Sequence, residues 1–218
     1  GRNFWWSSIW IARFLMESIP KTLENIIIDL SKLPGIGRRT AERLAIFLLE
    51  SDSEYLKSFS ININDLNEKM SECKTCHCFI DINYDSELNE CVICEDDSRN
   101  GKIVCLLKKA SDVIIFERTG YNGQYHILGN LISPIDGINE EDLNIDTLLK
   151  RLDSVSEIIL ATDASLEGDA TALYISNLLK DYSVKITRLA RGLPIGGTLE
   201  HVDQTTLSRS IEDRVELK

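Results

Sequence analysis

Apolar residues recur along the first part of the chain with the period of a helix. Leu23, Ile26, Ile27 and Leu30 lie at three- and four-residue spacing, and Ala41, Leu44, Ala45, Leu48 and Leu49 repeat the pattern, as one face of an amphipathic helix does. Between the two runs lies KLPGIGRRTAER. Its Pro34, Gly35 and Gly37 forbid one continuous helix, so Ile19 to Asp52 is predicted to form two helices joined by a tight hairpin, the second starting near Arg39 or Thr40. SFSININDLNEKMSE predicts another short helix that leads into a group of cysteines. From Gly101 the period shortens. KIVCLL, YHILG, SEIILAT and VKITRLA read as strands, with ASDVIIFERTG, NEEDLNIDTLLKRLD and EGDATALYISNLLKDY as the helices between them. Strands alternating with helices predict a parallel α/β sheet. The tail, GLPIGGTLEHVDQTTLSRSIEDR, is glycine-rich and then helical. The expected class is therefore α+β in several modules, with boundaries near Glu72 and Asn100 where the pattern changes.

Composition narrows this picture in three ways. A chain of 218 residues with 43% hydrophobic and 27% charged residues can bury a real core and is ordinary for a soluble protein. Its net charge of −11 argues against a broad basic surface but leaves room for a local one. No apolar run is long enough to cross a membrane. The opening GRNFWWSSIWIARFLMES holds all three tryptophans and contains Met16, without the clear small-residue cleavage site of an export signal. Residues 1–15 are read as an upstream extension, with the native chain starting at Met16. Six cysteines without an export signal suggest a reducing cytoplasm, where cysteine pairs more often mean metal than disulfide.

The cysteines are spaced for a metal. Cys73 and Cys76 have two residues between them, as do Cys91 and Cys94, and fourteen separate the pairs. Two such knuckles close a tetrahedral site of four sulfurs with no open position, which fits one structural zinc per chain. The segment 73–94 has too little apolar content to fold without it. The bland alternative is a set of free thiols. Cys78 and Cys105 fall outside the pattern, Cys105 in a predicted strand, and His77 would distort the knuckle as a ligand. None of the three histidines, His77, His126 and His201, falls in a triad or metal spacing.

In LPGIGRRTAER, the freedom of Gly35 and Gly37 allows a close backbone turn. A helix starting just after it offers unpaired N–H groups to an anion. Arg38, Arg39 and Arg43 cluster there, with Lys32 on the near side, so the element can hold a DNA phosphate without reading sequence. The alternative is a glycine-capped hairpin whose arginines are merely solvated. The pattern resembles the helix-hairpin-helix of DNA repair proteins.

ILATDASLEGDATALYI delivers Asp163, Glu167 and Asp169 to the end of a predicted strand. It resembles the Toprim fold of topoisomerases and primases, whose catalytic members hold Mg²⁺ with a glutamate from one strand and an Asp-x-Asp pair from a later one. Here Ser165 stands in place of the second aspartate and Lys108 near the place of the glutamate. A cation there repels Mg²⁺, and Glu117, in the next predicted helix, is poorly placed to substitute. Glu167 and Asp169 are read as carboxylates of a helix N-terminus, favoured by its dipole, rather than as ligands that join Asp163 in another geometry. GLPIGGT lacks the ending of a phosphate-binding P-loop.

The order of helix-hairpin-helix, four-cysteine module, Toprim-like domain and glycine-rich tail resembles the bacterial RecR family of recombination mediators, from about Leu23 to Leu217. The resemblance assigns 16–72 to DNA binding, 73–94 to the zinc finger, 101–197 to the Toprim domain and 198–218 to a Walker-B-like or oligomerisation segment through Glu200 and Asp203. It implies a non-enzymatic, cytoplasmic, nucleoid-associated protein, a tetrameric ring that clamps duplex or gapped DNA and helps load recombinase at single-strand gaps. Its partners would be RecO-like and RecF-like mediators. By this reading Lys32, Gly35, Gly37, Arg38, Arg39 and Arg43 meet DNA, and the acidity of the chain implies a shallow salt dependence for the protein alone. The competing readings are a Mg²⁺-dependent Toprim nuclease or nicking enzyme, and a zinc-stabilised scaffold that contacts only proteins.

Overall fold

A computed structural model describes residues 19–82, 90–193, 196–214 and 216. The proposed extension 1–15 and start at Met16 lie outside these residues, as do the stretch between the cysteine pairs at 83–89 and Leu217. The chain divides after Glu68 into two compact units.

The first unit contains three helices, α1 (Lys21–Ser31), α2 (Arg38–Glu50) and α3 (Ser53–Glu68). α1 and α2 form the predicted hairpin around Ile27, Ala41 and Ala45, with Leu23, Leu30 and Ile36 packed against them. The two alanines, four residues apart on one face, let the helices approach closely. α3 begins before the predicted stretch, at Ser53, and buries none of its residues.

In the second unit β1 (Met70–Glu72) and β2 (Phe79–Asp81) make an antiparallel hairpin, followed by the one-turn helix α4 (Val92–Glu95). The predicted sheet then follows, with β3 (Asn100–Leu107), β4 (Gly123–Ile127), β5 (Glu157–Leu160) and β6 (Lys185–Arg188) in the order β4-β3-β5-β6. Every pairing is parallel. The connecting helices include α5 (Asp112–Glu117) and α7 (Leu166–Leu178), and α8 (Gln204–Glu212) ends the described chain. Among the described residues no helix is long and apolar enough to cross a membrane.

The C-terminal half of central strand β3, Val104 to Leu107, is buried on both faces, as a strand inside a parallel sheet must be. Val104 and Leu106 join Ile158, Leu160, Ala172 and Ile175 in one core. Cys105 and Leu107 point the other way, into a core shared with Tyr125, Ile127, Ile80 and the cysteine module. Cys105 is therefore a core residue, and burial pushes its thiol up to about 12.

One prediction needs correction. NEEDLNIDTLLKRLD is not one helix but three short pieces, the 3₁₀ turns Glu140–Asp142 and Leu152–Ser154 flanking α6 (Ile145–Leu149). Asn139 and Asp142 close a capping box. Leu143 then turns extended and enters the core. Asn144 binds the end of β4, its N–H donating to Leu128 O at 3.0 Å and its side chain to Ile127 O at 3.0 Å. Tertiary hydrogen bonds thus override a helical period.

The first turn of α7 lies directly on the end of β5. Ser165 caps it, its Oγ accepting from Gly168 N at 3.1 Å. A Cβ on Gly168 would stand 2.0 Å from Asp163 O. Gly168→Ala should therefore destabilise by about 3 kcal/mol, because a backbone clash outweighs the roughly 1 kcal/mol alanine gains in a helix. Urea unfolding measures this, and an unchanged midpoint would refute the close approach.

Glu117 at the end of α5 is fixed to the sheet. It accepts from Arg99 Nη1 at 2.9 Å and from Tyr125 OH at 2.7 Å. Arg99, and after it Tyr125, holds its carboxyl below the ordinary 4.5. A depressed folded-state value stabilises above the unfolded value and is lost as pH falls through the folded one. Its carboxylate is 36% exposed, so screening limits the effect. Glu117→Gln is expected to cost about 1 kcal/mol at pH 7, with the gap to wild type narrowing below pH 4.5. Denaturation midpoints across pH 3–7, about the range of carboxylate titration, test this.

Candidate functional site

The β1–β2 hairpin presents the first cysteine knuckle. Cys73 N–H donates to Cys78 O at 2.8 Å and His77 N–H to Cys73 O at 2.9 Å, a turn tight enough to hold His77 at φ 61°. α4 presents the second, with Cys94 N–H donating to Cys91 O at 2.9 Å. Thr75 donates to Glu90, linking the knuckles, and Ile127 N–H donates to Cys76 O at 2.8 Å, fastening them to β4. The sulfurs of Cys73, Cys76, Cys91 and Cys94 all lie within 4.8 Å of one another and can hold one metal ion. The imidazole of His77 turns instead to Thr147, 2.8 Å from Nε2. Packed so closely, the thiols do not ionise alike. Hydrogen bonding from Cys76 foremost holds Cys73 down at about 6, and that from Cys73 lowers Cys91, while Cys76 and Cys94 are pushed up by their bonds to Cys73. A bound cation removes that conflict by stabilising every thiolate at once.

In the helical unit, Gly35 adopts φ +79°, the left-handed turn that glycine makes without strain. Gly37 precedes α2 with open space where a Cβ would lie. No side chain caps α2 and no acid occupies its first turn, so its leading N–H groups face outward unpaired. The predicted cations divide. Arg38 is engaged by Glu24 at 3.0 Å and Glu42 at 3.2 Å, which raise its pKa. Lys32 pairs with Asp29 at 2.8 Å. Arg39 and Arg43 are exposed, and neither has an ion-pair partner among the described residues.

At the Toprim-like position, Lys108 follows β3 and its Nζ stands 3.4 Å from Asp163 Oδ2, just past β5. Ser165 serves as the α7 cap, and Glu167 and Asp169 occupy its first turn as expected of N-terminal carboxylates. Asp163, Glu167 and Asp169 do not meet as a metal set; among the described residues the four cysteines alone do. Glu117 is engaged by Arg99. In the tail, Glu200 lies exposed in a 3₁₀ turn and Asp203 caps α8, accepting from Thr206 N–H at 2.9 Å.

One constellation escaped the sequence reading. Arg188, Arg191 and Arg209 converge on Asp169. The repeated arginine in TRLAR was a local signal, but its meeting with an arginine of the final helix had none.

Comparison with known proteins agrees with this layout. The family model for the RecR helix-hairpin-helix matches residues 23–66, that for the Toprim domain 102–190, and that for the RecR C-terminal region 192–215. The Recombination protein RecR of Chloroherpeton thalassium is 43% identical over 209 residues, covering 93% of this chain and all of the relative. That of Natranaerobius thermophilus is 40% identical over 205 residues, again covering 93% of this chain and all of the relative. With its hairpin, Toprim-like sheet and tail in the family's order, the chain belongs to the RecR family of recombination proteins.

Proposed function

We propose that this protein is a recombination mediator in DNA repair that holds DNA without cutting it and helps load recombinase at single-strand gaps. The observation that carries the reading is the start of α2. It is a helix N-terminus with no side-chain cap, flanked by the unpaired Arg39 and Arg43, in a chain of net charge −11. Positive groups left open in so acidic a protein suit a phosphate backbone. Gly35 and Gly37 bring the backbone close, Arg39 and Arg43 supply charge, and Arg38 positions the hairpin through Glu24. Lys32 contributes once Asp29 yields it.

A nuclease reading is disfavoured by Lys108, whose ammonium occupies the place of the metal-binding glutamate and pairs with Asp163. The protein-only scaffold has no specific observation in its favour. A tetrameric ring finds support in α3, where Tyr55, Phe59, Ile63 and Leu66 are exposed at helical spacing, an apolar stripe suited to a second copy. Family membership supports work in the cytoplasm at the nucleoid, with RecO-like and RecF-like partners, as part of this proposal.

Zinc is the metal that the cysteine site suits. A tetrahedral ion with bonds of about 2.3 Å spaces its sulfurs about 3.8 Å apart, and Cys76–Cys91 at 3.4 Å and Cys73–Cys94 at 4.0 Å bracket that value. Its role is structural, fastening the module over Cys105 and Leu107.

Elemental analysis of purified protein is expected to find one zinc per chain, and a strong chelator to lower the melting midpoint by more than about 10 °C. A metal-free protein of undiminished stability would contradict a structural ion. For DNA, anisotropy on a labelled gapped duplex should show Arg39→Ala/Arg43→Ala binding at least tenfold more weakly, with a salt slope reduced by about 2. With Mg²⁺ present the wild-type signal should rise and hold; decay below the free-duplex value would mean cleavage and sink the mediator reading.

A further inference from the structure

The arginine group on Asp169 has more charge than its partner uses. Arg188 Nη2 and Arg191 Nη2 both stand 2.6 Å from Asp169 Oδ1, Arg191 Nη1 stands 3.3 Å from Oδ2, and Arg209 Nη2 stands 3.4 Å from Oδ2. Among the described residues Asp169 is the only carboxylate paired with any of them, so three guanidiniums and one carboxylate leave two positive charges. Each guanidinium carries five N–H donors, more than Asp169 can accept. Arg209 Nη1 is buried with no hydrogen-bond partner, a state that costs free energy unless a ligand answers it. The simple explanation, a clamp that holds the tail to α7, needs one arginine; three held around a single carboxylate repel one another.

These arginines line a cavity of about 360 Å³ whose other walls are Thr162, Ala164, Leu189, Ala190, Gly192, Thr205 and Thr206. Among the described residues no carboxylate lines it. The hydroxyls of Thr162 and Thr206 donate to Gly168 O and Asp203, while that of Thr205 has no partner among the described residues and remains available. The volume falls within the range of small-molecule sites, roughly 300–1,000 Å³. Asp169, Glu212 and Asp213 line an adjoining cavity that the same three arginines also border; Glu212 and Asp213 are exposed and therefore screened.

We propose that this cavity binds a phosphate group, gripped by Arg188, Arg191 and Arg209 with the Thr205 hydroxyl as a further donor. Two uncompensated positive charges match a phosphate dianion, and planar guanidiniums match its oxygens in pairs. Asp169 holds the forks in place rather than competing for the ligand. The site is distinct from the α2 hairpin and does not rest on the DNA-binding reading. Nothing about it implies hydrolysis, since no general base stands among the lining residues.

Titration calorimetry of the full chain with pyrophosphate, against sodium chloride at matched ionic strength, tests the proposal. Saturable binding is expected, weakened about tenfold or more in Arg209→Gln, which leaves Asp169 its two closest arginines. Arg191→Lys, which keeps charge but loses the fork, should weaken binding severalfold relative to wild type. It serves where Arg209→Gln fails to fold, and unchanged binding in it would then overturn the proposal. Heats equal to those of chloride, or an Arg209→Gln protein that binds as wild type does, would overturn the proposal, as would glutarate binding as tightly as pyrophosphate. Competition then identifies the source of the phosphate. Displacement of pyrophosphate by ATP points to a free nucleotide, and displacement by a 5′-phosphorylated but not a 5′-hydroxyl oligonucleotide points to a DNA end. Displacement by neither confines the site to inorganic phosphates.

Discussion

The C-terminal half of strand β3, Val104 to Leu107, has no face toward water, and the second unit is arranged around that fact. Val104 and Leu106 are covered by α7 and the pieces that precede β5, whereas Cys105 and Leu107 are covered by the cysteine module. The module has little apolar mass of its own, so four sulfurs drawn within 4.8 Å do what a second layer of helix would otherwise do. A metal held there would fasten the module over one side of the sheet, and the sheet in turn sets where Lys108 and Asp163 emerge.

The same sheet sets which side chains meet at its C-terminal edge. Parallel strands β3 and β5 are neighbours and deliver their C-terminal residues side by side, the place where open α/β sheets put their ligand sites. In this chain Lys108 and Asp163 pair with each other, Ser165 caps a helix, and Asp169 is turned to arginine. Each of these groups makes a structural contact.

Charge is distributed by the same economy of neighbours. Arg38, Lys32 and Arg99 are each held by an acid. Arg39 and Arg43 on the hairpin have no ion-pair partner among the described residues, and the arginines on Asp169 outnumber their carboxylate, so both places keep positive potential available for something outside the molecule.

Much of this was readable from sequence because it is local. Helical period, the hairpin glycines, the knuckle spacing and the strand alternation all depend on residues within a turn or two of each other. The parallel sheet followed because helices between strands leave little other choice. Tertiary structure decided the rest. Asn144 broke a predicted helix because Ile127 and Leu128 offered it backbone partners. Glu24 claimed Arg38 from fourteen residues away. Arg209 reached Asp169 because α8 returns to the start of α7. Sequence alone determined the hairpin helices, the knuckles and the strands of the parallel sheet, since propensity and spacing act along the chain. Which of those groups meet, and which stay free, depends on contacts between distant segments, and only the packed fold settles them.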